Sequence, residues 1–277
     1  MKKSSRSFGK ILMILAIVFF YLPILYMIIF SFNEGKSLTS FTGFSLRWYQ
    51  HMLESRDMMS ALYTAFTVAI LATVISTIVG TIAAIGLSSS KKVVRDVVEQ
   101  VNNFPIMNPD IVTAIGLMIL FSSIKMEKGY MTMLLAHVAF CTPYVITSVY
   151  PKVRNLDPNL ANAAMDLGAT PFQALTKVII PMLKEGIFAG ILLAFTMSFD
   201  DFVISYFVTG NGVQNISIIV YNMTKRTNPT INALSTIVVL VIAITLILVN
   251  VIPAIVNNRK NKLAQKQEMM AEQLPAE

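Results

Sequence analysis

Charge is what this chain has least of. Only 13% of its 277 residues are Asp, Glu, Lys or Arg, while 55% are hydrophobic and the mean hydropathy is +0.65. A soluble core does not have that composition; an integral membrane protein does. Apolar runs take up most of the length, which leaves no stretch for a separate soluble domain. A single cysteine, Cys141, excludes an internal disulfide and reads as a small packing residue. Two histidines, His51 and His137, are too few and too far apart for a metal site, and His137 reads as a hydrogen-bonded residue inside a span. A Gly-x-x-x-x-Gly-Lys-Ser/Thr phosphate loop is missing, so the chain is not expected to hydrolyse nucleotide itself. It shows no nucleophile–base–acid set, no metal-ligand spacing and no convincing internal repeat.

The formal charge of +7 would suit nucleic acid if the basic residues lay along one face. They are instead in tails and loops, where they orient a membrane protein, so no nucleic-acid partner is expected. Apolar runs predict six spans, at about 11–32, 61–87, 104–124, 130–150, 186–208 and 233–256, each close to the 20 or so helical residues that cross a bilayer. The first run follows Lys2, Lys3, Arg6 and Lys10. It is too long for a signal-peptide core and has no small-residue cleavage site, so it reads as an uncleaved span. With both ends inside, fifteen of the 22 Lys and Arg residues fall on the inner side and seven on the outer. The expected fold class is all-α: one polytopic transmembrane domain over 1–277, with both termini in the cytoplasm.

Local features refine the spans. The second is rich in Thr, Ala and Gly, including Gly80 and Gly86, which suits a helix deep in a bundle. The third begins Pro105, Asn108, Pro109, Asp110, a polar, proline-broken entry that implies contact with protein or water. The fourth carries Pro143 inside it. In the first outer loop, Trp48 and Tyr49 suit the headgroup level.

Between the fourth and fifth spans lies a cytoplasmic hairpin, about 151–184. Asp157 is a candidate N-cap with Pro158 at the first helical position. Thr170, Pro171 and Gln173 form a capping box, Gly168 stands where the first helix must stop, and Pro181 is expected to end the second. Leu156, Leu160, Ala163, Ala164 and Leu167 recur at helical spacing, as do Phe172, Leu175, Val178 and Ile179, so one face needs a partner.

The chemically unusual residues are Asp200 and Asp201, in the middle of the fifth span. A carboxylate there costs at least about 2.5–3.5 kcal/mol, so each should face protein or water. Ser198, Asp201 and Ser205 form one polar stripe, which predicts that Asp201 faces an aqueous path and that Asp200 flanks it. Asp110 is a third candidate acid. The alternative reading of these acids is structural, capping broken helices or staying protonated in a polar cluster. No Lys or Arg lies deep in a span to pair with them, which favours a cationic ligand or a cation on a partner subunit.

Ala163, Ala164, Asp166, Gly168 and Ala169, with Phe172 and Pro181 downstream, resemble the EAA loop of ABC-importer permeases; Asn162 stands where that family usually has Glu. The stretches Ser198–Gly210 and Asn108–Val112 are similar to those of the PotC type of spermidine/putrescine permease subunit, as is the region of Phe41, Trp48 and Tyr49. The resemblance implies a six-span MetI-like permease in a bacterial cytoplasmic membrane. Its implied partners are a second, PotB-like permease subunit, a PotA-like ATPase dimer carrying ATP-Mg and a PotD-like external polyamine-binding protein. No cofactor is implied in this chain. The hairpin residues, Asn162 included, would couple to the ATPase. Asp201, Asp200, Asp110, Ser198, Ser205 and Tyr206 would line the substrate pathway, with Phe199, Phe202 or Tyr206 against a polyamine's methylenes and ammonium groups. The rival readings are an ABC permease for another solute, an ion-coupled secondary transporter using the Asp pair, and a structural membrane subunit; an enzyme fits least.

Overall fold

The computed structural model describes residues 2–210, 212–224 and 229–247. These form helices α1 (Lys2–Ser31), α2 (Arg47–Glu54), α3 (Arg56–Ser88), α4 (Lys92–Met107), α5 (Asp110–Ser123), α6 (Tyr130–Arg154), α7 (Leu160–Asp166), α8 (Pro171–Ala174), α9 (Ile180–Met182), α10 (Lys184–Asp200), α11 (Val203–Val208), α12 (Ile216–Thr224) and α13 (Thr230–Leu246). A π turn, Leu175–Ile179, joins α8 to α9. Among the described residues the only strand-like pairing is one isolated bridge, Asn33 with Phe44.

Apolar length decides which helices can span. Gly9–Ser31 within α1, α3 and α6 each suffice alone, and two bent pairs suffice together: α4 with α5, and Pro171–Met182 with α10. Thr230–Val241 within α13 is a shorter apolar helix. The expected end of the sixth span, up to residue 256, and the basic tail with Arg259, Lys260, Lys262 and Lys266 lie outside the described residues.

Two of the expected spans are broken. The third is not one helix over 104–124: α4 begins as early as Lys92, and α4 and α5 meet at 107°. Pro109 forces this, because the residue before a proline is driven out of the helical region, and Asn108 is extended at φ −82°, ψ 147°. The fifth is interrupted at Asp201 and Phe202, between α10 and α11. Pro143, by contrast, does not end α6. Two expected loops also hold helices, α2 in the first and α12 in the second.

The described residues divide into two compact units, one drawn from 56–210 and 212–224 and the other from 2–55 and 229–247. In the first, α6 is central, packing on both α3 and α10, with α11 against α5 and α6. Val145 of α6 is fully buried between two glycines. A Cβ on Gly80 of α3 would stand 2.7 Å from Val145 Cγ1, and one on Gly190 of α10 would stand 3.3 Å from it. The small residues therefore let three backbones approach closely. Gly80→Leu is expected to destabilise the subunit by about 1–3 kcal/mol through overpacking. Lowered membrane accumulation and an earlier thermal transition of the detergent-solubilised protein are the readouts.

In the other unit α13 packs on α1 and α2. The loop between α1 and α2 winds round Asn33, whose side chain donates to the carbonyls of Ser37 (3.0 Å) and Ser40 (2.9 Å) and accepts from Thr42 N (2.8 Å). Trp48 is not displayed for headgroups: it is 3% exposed, and its Nε1–H donates to the Asn33 carbonyl at 2.7 Å. An indole N–H in an apolar setting needs an acceptor, and the loop backbone supplies one.

The hairpin follows its local signals closely. Gln173 N–H donates to Thr170 Oγ1 (3.3 Å) and Thr170 N–H to Gln173 Oε1 (2.9 Å), closing the capping box. Gly168 turns the chain at φ +88°. Asp157 Oδ1 accepts from Asn159 N–H at 2.9 Å, yet regular helix begins only at Leu160. Pro181 does not stop the second helix: it lies inside α9, and the chain bends by 71° around Leu183 into α10. At the base, Lys152 Nζ donates to Glu185 Oε2 at 2.8 Å, joining the end of α6 to the start of α10 and holding the Glu185 carboxyl below the usual carboxylate range.

Candidate functional site

The break in the fifth span is built from side chains, since no proline or glycine stands between Ile191 and Thr209. Asp201 ends α10 in an extended conformation, φ −65°, ψ 128°. Its carboxylate then caps α11, accepting from Ile204 N–H (3.2 Å) and from Ser205 N–H (2.7 Å). Its own carbonyl is taken by Asn215 Nδ2 at 2.8 Å, and Asn215 Oδ1 accepts from Ile218 N–H in the first turn of α12. Irregular backbone within a membrane span is tolerated only where its polar groups find such partners.

His137, on α6, completes the knot. Its Nδ1 lies 2.6 Å from Ser198 Oγ on α10, and its Nε2 lies 2.9 Å from Ser205 Oγ on α11 and 3.4 Å from Asp201 Oδ2. The ring is 1% exposed. Hydrogen count fixes the directions. A carboxylate only accepts, so Ser205 O–H donates to Asp201 Oδ2 (2.8 Å), while Ser205 Oγ accepts from Asn215 Nδ2 (2.9 Å) and from His137 Nε2–H. At His137 Nδ1 the direction of the bond with Ser198 Oγ follows the protonation of the ring, and either direction completes the network.

The polar stripe of Ser198, Asp201 and Ser205 therefore meets His137, and of the three only Asp201 also borders the neighbouring cavity. Ser198 and Ser205 are buried, and the Asp201 side chain is 8% exposed. The physical reason is the break: Asp201 is drawn inward as a cap, and Asp200, the last residue of α10, is left exposed. Asp200 borders a cavity of about 270 Å³ together with Asp110, Thr196, Phe140 and Phe202, and the inner rim includes Asp201. Asp110 is the first residue of α5, where a helix N-terminus favours an acid. Phe202, on the cavity wall, clusters with Tyr206 and Tyr221, with ring centroids 5.4 Å (Phe202–Tyr206), 4.7 Å (Phe202–Tyr221) and 5.9 Å (Tyr206–Tyr221) apart. Phe199 does not join them. It is 9% exposed and packs against Phe66 and Phe195.

Asp110 and Asp200, with the rings of Phe140 and Phe202 lining the same cavity, suit a cation with an apolar stem: the carboxylates replace lost hydration, and the rings attract positive charge. Of the residues expected along a pathway, Asp110, Asp200 and Asp201 border this cavity and Tyr206 packs on Phe202 at its wall; Phe140, Tyr221 and Asn215 were not singled out in the sequence. His137, expected as a hydrogen-bonded residue inside a span, is one, bonded through both ring nitrogens. The signal that pointed to His137 was the polar stripe itself, which required a polar partner on a neighbouring helix.

At the hairpin, Asn162, Ala163, Asp166, Gly168 and Phe172 are exposed, as is Pro181; Ala164 and Ala169 are half-buried. Leu167 is 91% exposed and Phe172 73%, so the tip shows bare apolar groups on either side of the Gly168 turn.

Comparison with known proteins accords with this arrangement. Residues 76–262 match the family model described as "Binding-protein-dependent transport system inner membrane component". The chain is 36% identical over 241 residues to the putrescine transport system permease protein PotI of Escherichia coli K12, covering 82% of this chain and 84% of the relative. To the spermidine/putrescine transport system permease protein PotC of the same strain it is 32% identical over 231 residues, covering 83% and 87%. Among solved structures, a bacterial ABC transporter that imports the acidic polysaccharide alginate superposes with a TM-score of 0.64 over 89% of this chain and 97% of that one, at 17% identity. Matched over most of its length by the family model and by both permeases, the chain belongs to the inner-membrane permease components of binding-protein-dependent ABC importers.

Proposed function

We propose that this chain is one permease subunit of an ATP-driven polyamine importer, carrying putrescine, spermidine or both. The observation that carries the reading is the cavity bounded by Asp110 and Asp200 beside the Phe202–Tyr206–Tyr221 cluster. Polyamines are ammonium groups on methylene stems, which is the chemistry such a cavity selects. The names of the relatives point to the same cargo.

In this reading the subunit is a single permease domain spanning the bacterial cytoplasmic membrane with both termini inside. It pairs with a PotB-like permease subunit. A PotA-like ATPase dimer binds ATP-Mg, and a PotD-like protein delivers cargo from outside. The hairpin, with Asn162, Ala163, Ala164, Asp166, Gly168, Ala169, Phe172 and Pro181, lodges in a groove of the ATPase. ATP draws the ATPase subunits together, the hairpins follow, and the spans open outward to receive the polyamine. Hydrolysis returns them to the inward state. Asp110 and Asp200 neutralise the cargo at mid-passage, and the aromatic rings hold its stem.

The experiment is reconstitution of the complete complex in vesicles, with candidate solutes delivered by its binding protein. Putrescine or spermidine is expected to stimulate ATP hydrolysis and to accumulate inside. Stimulation by a neutral or anionic solute, with none by polyamines, would leave an ABC permease for another cargo.

A further inference from the structure

We propose that His137 is a positioning residue for transport: a single imidazole on α6 pins the two halves of the broken span, α10 through Ser198 and α11 through Ser205, and so sets the angle at which Asp200 and the aromatic side of α11 meet the cavity. This rests on the permease reading for its consequence, but its geometry stands independently.

The break needs such a device. Nothing in the backbone chemistry of the stretch forbids a continuous helix, because it contains neither proline nor glycine. In a continuous helix Ser198, Asp201 and Ser205 would share one face and Asp200 would point elsewhere. The break is instead imposed by tertiary bonds at its two flanks. Asn215 holds the Asp201 carbonyl at 2.8 Å, and His137 reaches Ser198 at 2.6 Å and Ser205 at 2.9 Å. His137 is the group that touches both helices from a third, and α6 is itself held against α3 and α10 by the Val145 seam. The ring also supports the cavity wall directly: Phe140, which lines the cavity, packs edge-on against it at 5.2 Å between centroids. The straight and broken forms of the span are thus two arrangements of the same residues, and the imidazole selects the broken one.

The test uses the assembled complex. Cysteines are placed singly at Thr196 on α10 and at Tyr206 on α11, both exposed; the native Cys141 is buried. The rate of modification by 2-aminoethyl methanethiosulfonate, a small cationic thiol reagent, is compared in the native, His137→Phe and His137→Gln backgrounds. His137→Phe keeps the ring and loses both bonds, so the ratio of the Tyr206→Cys rate to the Thr196→Cys rate is expected to change about fivefold or more. Transport in the variant without reporter cysteines is expected to fall about tenfold or more, as two hydrogen bonds are lost. His137→Gln, which retains a donor and an acceptor, should recover much of both. If His137→Phe fails to reach the membrane, Ser198→Ala removes the α10 tie alone and should shift the same ratio in the same direction. An unchanged ratio overturns the proposal, whether transport is normal or lost. If the native complex carries no polyamine, the cargo assignment fails, and the labelling ratio still decides the clamp.

Discussion

Asp200→Asn is expected to reduce polyamine uptake roughly ten- to hundredfold while the complex still assembles, because a hydrogen bond to a charged group contributes about 1.5–3 kcal/mol. The substitution preserves shape and removes only the charge. Asp200 ends α10 exposed at the cavity, so nothing in the packing depends on its ionisation. The loss should appear in stimulated hydrolysis and in vesicle uptake, with copurification of the partners intact. Asp201→Asn should behave differently. Its carboxylate accepts from two backbone N–H groups of α11 and from the Ser205 hydroxyl, so an amide NH₂ would face donors. The expected result is reduced membrane accumulation. Uptake unaffected in Asp200→Asn, at normal protein levels, would remove that acid from the pathway.

The second large effect is expected at the hairpin tip. Leu167→Asp combined with Phe172→Asp should leave the subunit in the membrane and abolish its association with the ATPase. Both side chains project from the turn, 91% and 73% exposed, so the fold loses little by their replacement. Burying each against a partner is worth about 1.5–3 kcal/mol, and losing both weakens docking more than a hundredfold. The measurement is ATPase copurification, together with ATP hydrolysis stimulated by the loaded binding protein. Persistence of both in the double variant would move the docking surface elsewhere.

These two regions differ in how far the amino-acid sequence revealed them. The hairpin was readable because its signals are local: Thr170 and Gln173 cap each other three residues apart, and Gly168 supplies the one backbone angle the turn needs. The bend before α5 was half readable, since Pro109 marks it, but the length of α4 was not, because a helix beginning at Lys92 carries charge where a loop was expected. The break at Asp201 was readable only as one of two alternatives, an acid capping a broken helix. It has no proline or glycine; the local signal is the Asp201 cap alone, and the other ties come from His137 and Asn215, outside the stretch. Periodicity did identify Ser198, Asp201 and Ser205 as sharing a face. It carried no information about what that face meets, which is His137, or that the broken backbone leaves Asp200 exposed beside Asp201 at the same cavity.

The Val145 seam has a mechanical consequence. With glycine on either side and no slack around it, that residue works as a dovetail: α3, α6 and α10 cannot slip past one another without unseating it. In the proposed cycle, a stroke delivered at the hairpin would turn the three rods as one block, and the flexing is left to the joints at Asn108 and Asp201, where the chain already changes direction.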